Sequence, residues 1–255
     1  MNELEIVNKI KYSMSSWMKD NGFSNSKIVV GISGGIDSAV VAALAALVVG
    51  KENVYGVMLP NGEQKDIEDS KAVIEHLGIN KLYVDISSAV RCIEGRVQTA
   101  GDNCIQLSEQ TKINLPARIR MSTLYAIAQT YNGLVLNTCN ISESIVGYDT
   151  LFGDDAGSYA PIQALTKTEV RALAKFLGIP ETIISKAPSD GLQKSSDEER
   201  FGFTYDVLDR YIRTGVCEDE GIKSKIDRMH GISKFKMEMI RLPGPTFEGL
   251  ECHVN

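Results

Sequence analysis

The stretch KIVVGISGGIDSAVVAALAALVVG, Lys27 to Gly50, decides the fold. An apolar run (27–33) has the length of a buried strand. Three glycines, two serines and an aspartate then fall within the eight residues from Gly31 to Ser38. An alanine- and valine-rich helical segment follows at once, from about Asp37 to Val49. A strand that ends on a bare polar loop directly before a helix is built to receive an anion. Gly31, Gly34 and Gly35 carry no side chains, so backbone N–H groups can approach phosphate oxygens closely. The helix adds the positive end of its dipole, and Ser33 and Ser38 can donate from their hydroxyls.

Asp37 would repel a phosphate, so its place in the loop calls for a bridging magnesium ion. The combination points to a nucleoside triphosphate. The loop is not G-x-x-x-x-G-K-[ST], since no lysine follows the glycines, and it is not G-x-G-x-x-G. The plainer alternative is a strand-to-helix turn with Asp37 as a cap.

Outward from this stretch, β-rich runs alternate with helical patterns. The runs 53–60, 81–87 and 134–138 read as strands. Helices are predicted over 63–78, closed by Gly78, over 116–133, opened by Pro116, and over 166–180, capped by Thr166 or Thr168 and stopped by Pro180. Ala72, Val73 and Ile74 are expected in the core of the first of these. Leu4, Ile6, Val7, Ile10, Met14 and Trp17 make a stripe on an N-terminal helix. Such alternation implies an α/β fold, a doubly wound parallel sheet flanked by helices. Two polar stretches, 92–115 and 185–203, read as lids or connections, and the region from about 242 as an irregular tail. With no repeat and no boundary in view, residues 1–255 are expected to form a single domain.

Bulk composition narrows the classes. Of 255 residues, 43% are hydrophobic and 24% charged, ordinary for a globular protein. The longest apolar run (39–49) is too short to span a bilayer, and the N-terminus lacks the pattern of a signal peptide. A cytoplasmic protein without a membrane partner is expected. The five cysteines are scattered without C-x-x-C spacing, against a disulfide framework or zinc site. A net charge of −6 and the lack of basic runs argue against nucleic acid.

SGGIDS (33–38) resembles the pyrophosphatase-type loop of enzymes that cleave ATP between its α and β phosphates. NLPARIRMSTLYAIAQ (114–129), NTCNISESIVGYDTLFGDDAG (137–157), LTKTEVRALAKFLGIP (165–180) and KAPSDGLQKSSDEERFGFTYDVLD (186–209) resemble successive blocks of the NAD synthetase family, in family order, over roughly residues 5 to 245. The resemblance implies an adenine nucleotide alpha hydrolase-like fold. It also implies a ligase of the short, ammonia-dependent form that amidates deamido-NAD with ATP and ammonia, releasing NAD, AMP and diphosphate. It places ATP on Gly31, Ile32, Ser33, Gly34, Gly35, Ile36, Asp37, Ser38, Thr138, Lys167 and Ser189, and magnesium on Asp37 and Glu143.

Asn114, Arg118, Asp154 and Lys236 match dinucleotide-site residues. Arg118 is preferred over Arg120, because residues two apart on a helix face different ways. Asp154 is the candidate to orient ammonia or take its proton; with Asp37 and Lys167 it makes up the catalytic group the resemblance implies. Leu151, Ser158 and Phe235 stand where many short synthetases have lysine, aspartate and histidine, so the substrate contacts there are expected to be rearranged. A homodimer is implied as well. The competing reading is another adenylating ligase of the same loop class acting on a different carboxylate.

Overall fold

The computed structural model describes residues 2–64, 67–186 and 197–254. Strands β1 (Lys27–Gly31), β2 (Val54–Met58), β3 (Asn80–Tyr83) and β4 (Gly133–Val135) form one parallel sheet in the order β3-β2-β1-β4. Around them run α1 (Glu3–Asp20), α2 (Ile36–Val49), α3 (Ile67–Leu77), α4 (Ser87–Gln98), α5 (Glu109–Thr130), α6 (Ile141–Val146), α7 (Lys167–Phe176), α8 (Glu181–Ile184), α9 (Asp197–Phe201), α10 (Tyr205–Thr214) and α11 (Glu220–Met239). β1 pairs with β2 from Ile28↔Val54 and with β4 from Lys27↔Gly133. The chain therefore winds one way from β1 to β3 and places β4 on the other side of β1. That reversal opens a crevice beyond the carboxyl ends of β1 and β4, the place where such sheets collect ligands.

Alternation along the strands separates two apolar layers. Ile28, Val30, Val54 and Met58 face α1, α2, α3 and α7. Val29, Val57 and Val135 face α4 and α5. Helix α2 is buried on nearly every side, at Ile36 and from Ser38 to Ala45, which explains its alanine and valine content. A third apolar cluster, around Ile145, Phe201, Tyr205, Leu208 and Ile226, joins α6, α9, α10 and α11.

The doubly wound expectation holds, with three local corrections. Pro116 does not open its helix: α5 begins at Glu109, where Ser108 accepts the Thr111 N–H at 3.1 Å, and Pro116 lies buried inside it. A helix with its own cap can run through a proline, although Pro116 has no N–H for the carbonyl of Lys112. The stretch 92–115 is not one connection either, because α4 and the start of α5 occupy most of it. Only Val90 of α4 is buried, so no apolar period was there to announce a helix. Finally, Leu4, 55% exposed, and Ala72 fall outside the buried stripes of α1 and α3.

Candidate active site

The loop after β1 keeps the character its glycines imply. Gly34 has φ +81°, a left-handed conformation that suits glycine. Gly35 is the N-cap of α2 and supplies no side-chain cap, so the first N–H groups of the helix lack the usual capping oxygen. The Ser33 and Ser38 hydroxyls lie 3.3 Å apart, and Ser38 Oγ donates to the Gly35 carbonyl at 3.0 Å. Ile32 is committed to the sheet, its N–H reaching the Val57 carbonyl at 2.8 Å. Asp37 is no cap. It is the second residue of α2, and its carboxylate points away into the crevice.

The crevice is completed from β4 and α7. Asn140 caps α6, accepting the Glu143 N–H at 3.1 Å, while Glu143 Oε2 accepts the Asn140 N–H at 3.2 Å. Asn140 Nδ2 also donates to Asp37 Oδ1 at 2.9 Å. Thr166 caps α7 in the same reciprocal way with Glu169. That cap sets Lys167 at the first helical position. Its ammonium then donates to Asp37 Oδ2 at 2.6 Å and to Glu143 Oε1 at 2.9 Å. Three chain segments, 103 residues apart at Asp37 and Asn140 and 130 apart at Asp37 and Lys167, thus converge on one point.

The electrostatics follow from burial. Lys167 is 4% exposed. Burial works against its charge, but Asp37 and Glu143 outweigh that and hold the ammonium well above the usual lysine range. The Tyr205 ring lies 5.4 Å from the same nitrogen, with its negative face available to the cation. Two carboxylates share one cation, so charge is left over. Burial first, then Asp37 against the pull of Lys167, raises Glu143 to about 7.

The dinucleotide candidates gather along the segment 147–158. Asp154 Oδ1 accepts the Thr150 N–H at 2.8 Å, and Thr150 Oγ1 donates to Asn114 Oδ1 at 3.2 Å. Arg118 Nε donates to the Leu151 carbonyl at 3.1 Å. Arg120 turns the other way, to the Leu59 carbonyl at 2.9 Å, as their spacing requires. Asn137 braces the segment from β4, donating to the carbonyls of Asp154 and Ala156 at 2.9 and 3.1 Å. The Ser158 N–H reaches the Val135 carbonyl at 2.8 Å. Lys236, on α11, donates to the Gly147 and Asp149 carbonyls and to Asp149 Oδ1 at 3.0, 2.6 and 2.9 Å. Phe235 beside it is 48% exposed. Thr138 is half-buried next to Asn137, and Ser189 lies outside the described residues.

The structure adds three polar residues to the site: Asn140, Tyr205 and Asp149. The first was legible, because N-I-S-E (140–143) has the spacing of a capping box. The others meet the site only through tertiary contacts. A hollow of about 540 Å³ lined by Ser26, Lys27 and Asn53 sits at the opposite, amino-terminal edge of the sheet, away from this chemistry.

A doubly wound parallel sheet with an open glycine loop after β1, and a buried lysine between two carboxylates at the switch point, defines an adenine nucleotide alpha hydrolase-like protein. A family model described as NAD synthase matches residues 6–242, and the chain belongs to the NAD synthase family. An NH(3)-dependent NAD(+) synthetase of Pyrococcus horikoshii is 40% identical over 238 residues, covering 89% of this chain and 90% of that one. Among solved structures, NMN synthetase from Francisella tularensis superposes with a TM-score of 0.85 at 33% identity, over 95% of this chain and 99% of that one. An NH3-dependent NAD synthetase from Campylobacter jejuni does so with a TM-score of 0.73 at 28% identity, over 95% and 99%.

Proposed function

We propose that this chain is an ammonia-dependent NAD synthetase, making NAD, AMP and diphosphate from deamido-NAD, ATP and ammonia. The observation that carries the reading is Lys167 held between Asp37 and Glu143 beside the open start of α2. A carboxylate is a poor acyl acceptor, because its charge is delocalised and the leaving group would be oxide. Transfer of AMP to the nicotinate carboxylate forms a C–O–P bond and breaks the bond between the α-phosphorus and the bridging oxygen, releasing diphosphate. Ammonia then forms the amide bond, loses a proton, and AMP leaves.

In this scheme the loop 31–38, with the uncapped N–H groups at the start of α2, and Thr138 cradle the triphosphate. The Lys167 ammonium neutralises charge gathering on departing diphosphate. Asp37 and Glu143 fit a magnesium ion. Both present hard oxygens, and they already converge within 2.9 Å of one cationic nitrogen. Phosphate oxygens and water would fill the remaining positions, as magnesium prefers. When bound, the ion supplies Lewis-acid stabilisation of phosphate charge.

For the dinucleotide, Arg118 and Asn114 are assigned to binding, with Leu151, Ser158, Phe235 and Lys236 lining the same end. Asp154 receives the ammonia proton. Its surface stays open to solvent, yet protein on most sides has stripped enough water to raise its carboxyl, which favours proton acceptance. We assign the chain to the cytoplasm as a single-domain homodimer. No helix among the described residues is long and apolar enough to cross a membrane, and α11 exposes Ile232, Phe235 and Met239, which a second copy would cover.

A second reading concerns the acyl substrate alone. Leu151, Ser158 and Phe235 depart from many short synthetases, and a structural neighbour covering almost the whole chain is an NMN synthetase. The mononucleotide acid would undergo the same chemistry. The test is chromatographic product analysis with ATP, magnesium and ammonium, offering deamido-NAD or the mononucleotide acid and omitting each component in turn. NAD and AMP in equal amounts, only in the complete mixture, is the expected result. Amidation of the mononucleotide alone would replace it with the second reading.

A further inference from the structure

We propose that Asp209 is a positioning residue for the ATP half of the site, acting through Ser142 and the first turn of α7. This rests on the assignment of Asp37, Glu143 and Lys167 to ATP. Asp209 lies on α10, is 4% exposed, and its carboxylate bonds to Ser142 and Thr168 rather than to any of those three side chains. Its Oδ1 accepts the Ser142 hydroxyl at 2.5 Å and its Oδ2 accepts the Thr168 N–H at 2.7 Å. Ser142 Oγ in turn accepts the Lys167 N–H at 3.0 Å. Ser142 directly precedes Glu143, and Thr168 directly follows Lys167. One carboxylate therefore ties the side chain next to Glu143 to the backbone N–H groups at the start of α7, beside Lys167.

The placement suits the physics of a helix start. Lys167 and Thr168 are the first two residues of α7, so their N–H groups have no partner within the helix. A carboxylate there satisfies one directly and the other through Ser142, and it is favoured by the helix dipole. One turn further along α10, Arg213 grips Glu169, the capping partner in α7, with Nε to Oε1 at 2.8 Å and Nη2 to Oε2 at 2.6 Å. The two contacts fix both the position and the rotation of the first turn of α7. Apolar packing between α10 and its neighbours through Leu208 and Ile212 does not define that rotation. A charged hydrogen bond with fixed donors does, at the expense of burying a carboxylate.

Replacement by asparagine is diagnostic. The Thr168 N–H can only donate, so the amide oxygen must face it and the amide NH2 must face Ser142. Ser142 would then be offered two donors, the amide and the Lys167 N–H, and its own hydroxyl hydrogen would lose its acceptor. The first turn of α7 must shift, and the Lys167 ammonium with it.

The test is calorimetric titration of magnesium-ATP into wild type, Asp209→Asn, Ser142→Ala and Lys167→Met, with circular dichroism to confirm the fold and initial rates varying ATP and deamido-NAD separately. Asp209→Asn is expected to weaken magnesium-ATP binding about tenfold and lower kcat by roughly ten- to a hundredfold, the scale of a small misplacement. The KM for deamido-NAD should change by less than about twofold, as for a substrate whose ground-state contacts are untouched. Combined with Lys167→Met, Asp209→Asn should add no further loss of ATP affinity, because it acts through that lysine. Unchanged ATP affinity with a lower Tm, equal effects on both substrates, or additive losses would overturn the proposal. Should Asp209→Asn not fold, Ser142→Ala carries the same test, since it removes the acceptor of the Lys167 N–H and keeps the bond to Thr168. A wild type that forms no NAD yet shows this binding pattern would refute the assigned reaction and leave the positioning role standing.

Discussion

Two buried titratable residues show how a side chain's surroundings set its chemistry. Lys167 has its counter-charges within 2.9 Å, so removing it leaves Asp37 and Glu143 facing each other without a cation. Lys167→Met should lower kcat/KM for ATP by about a hundredfold or more, the scale seen when a charge-stabilising donor is lost; steady-state kinetics at saturating deamido-NAD would report it. Asp155 is the opposite case. It is 9% exposed, and among the described residues neither carboxylate oxygen has a hydrogen bond of good geometry, only the weaker pull of the Phe152 N–H. Burial, then Asp149 and Asp154, push its carboxyl up to about 7. The folded state therefore holds a proton that the unfolded chain has released. Stability from this group is fully present below the ordinary aspartate range and declines as pH rises from about 4 to about 7. Asp155→Asn should remove that decline, stabilising the protein at pH 8 by roughly 2 kcal/mol relative to its effect at pH 5. Thermal unfolding of both proteins at the two pH values would decide it, and parallel profiles would disprove the assignment.

At the scale of elements, the site is built from helix starts and one helix end. Three helices, α2, α6 and α7, begin around the same point, two with reciprocal side-chain caps and α2 with none. Asn140→Ala should cost about 1–2 kcal/mol, as lost caps do, and should also weaken ATP binding, because Asn140 holds Asp37. Denaturant unfolding and nucleotide titration measure the two effects separately. At the other end of α6, Gly147 has φ +67°, and a Cβ there would come within 2.3 Å of Ser233 Cβ on α11. Gly22 has φ +80° and nothing within 4 Å. Gly22→Ala should therefore cost only the left-handed backbone penalty of about 1–2 kcal/mol. Gly147→Ala should add the overpacking of α6 against α11, about 1–3 kcal/mol more. Equal losses in the two variants would show that α11 yields at no expense.

At the scale of the whole molecule, the order β3-β2-β1-β4 brings the ends of β1 and β4 side by side, and with them Asp37 and Glu143. The apolar residues that α11 leaves exposed lie beside Lys236, which ties that helix to the segment 147–158. A homodimer should give a light-scattering mass of about twice 27.9 kDa at assay concentration. A mass of one chain in a fully active sample would discard that assembly.

Local chemistry in the sequence determined the strand, the glycine loop and the helix after it. It also determined the alternation that implies a parallel sheet and the blocks that resemble NAD synthetases. Those features are written in neighbouring residues, as apolar period, bare N–H groups and caps. Helix α4 escaped because it buries almost nothing, and the start of α5 because Pro116 suggested a later opening. The partnership of Asp37, Glu143 and Lys167 had only the family likeness to suggest it, and the roles of Asn140, Tyr205 and Asp209 had nothing nearby in the chain beyond one capping box. Tertiary structure alone decided these, because a crevice at a switch point joins segments that are distant in sequence, and burial there turns ordinary surface residue types into a charged cluster.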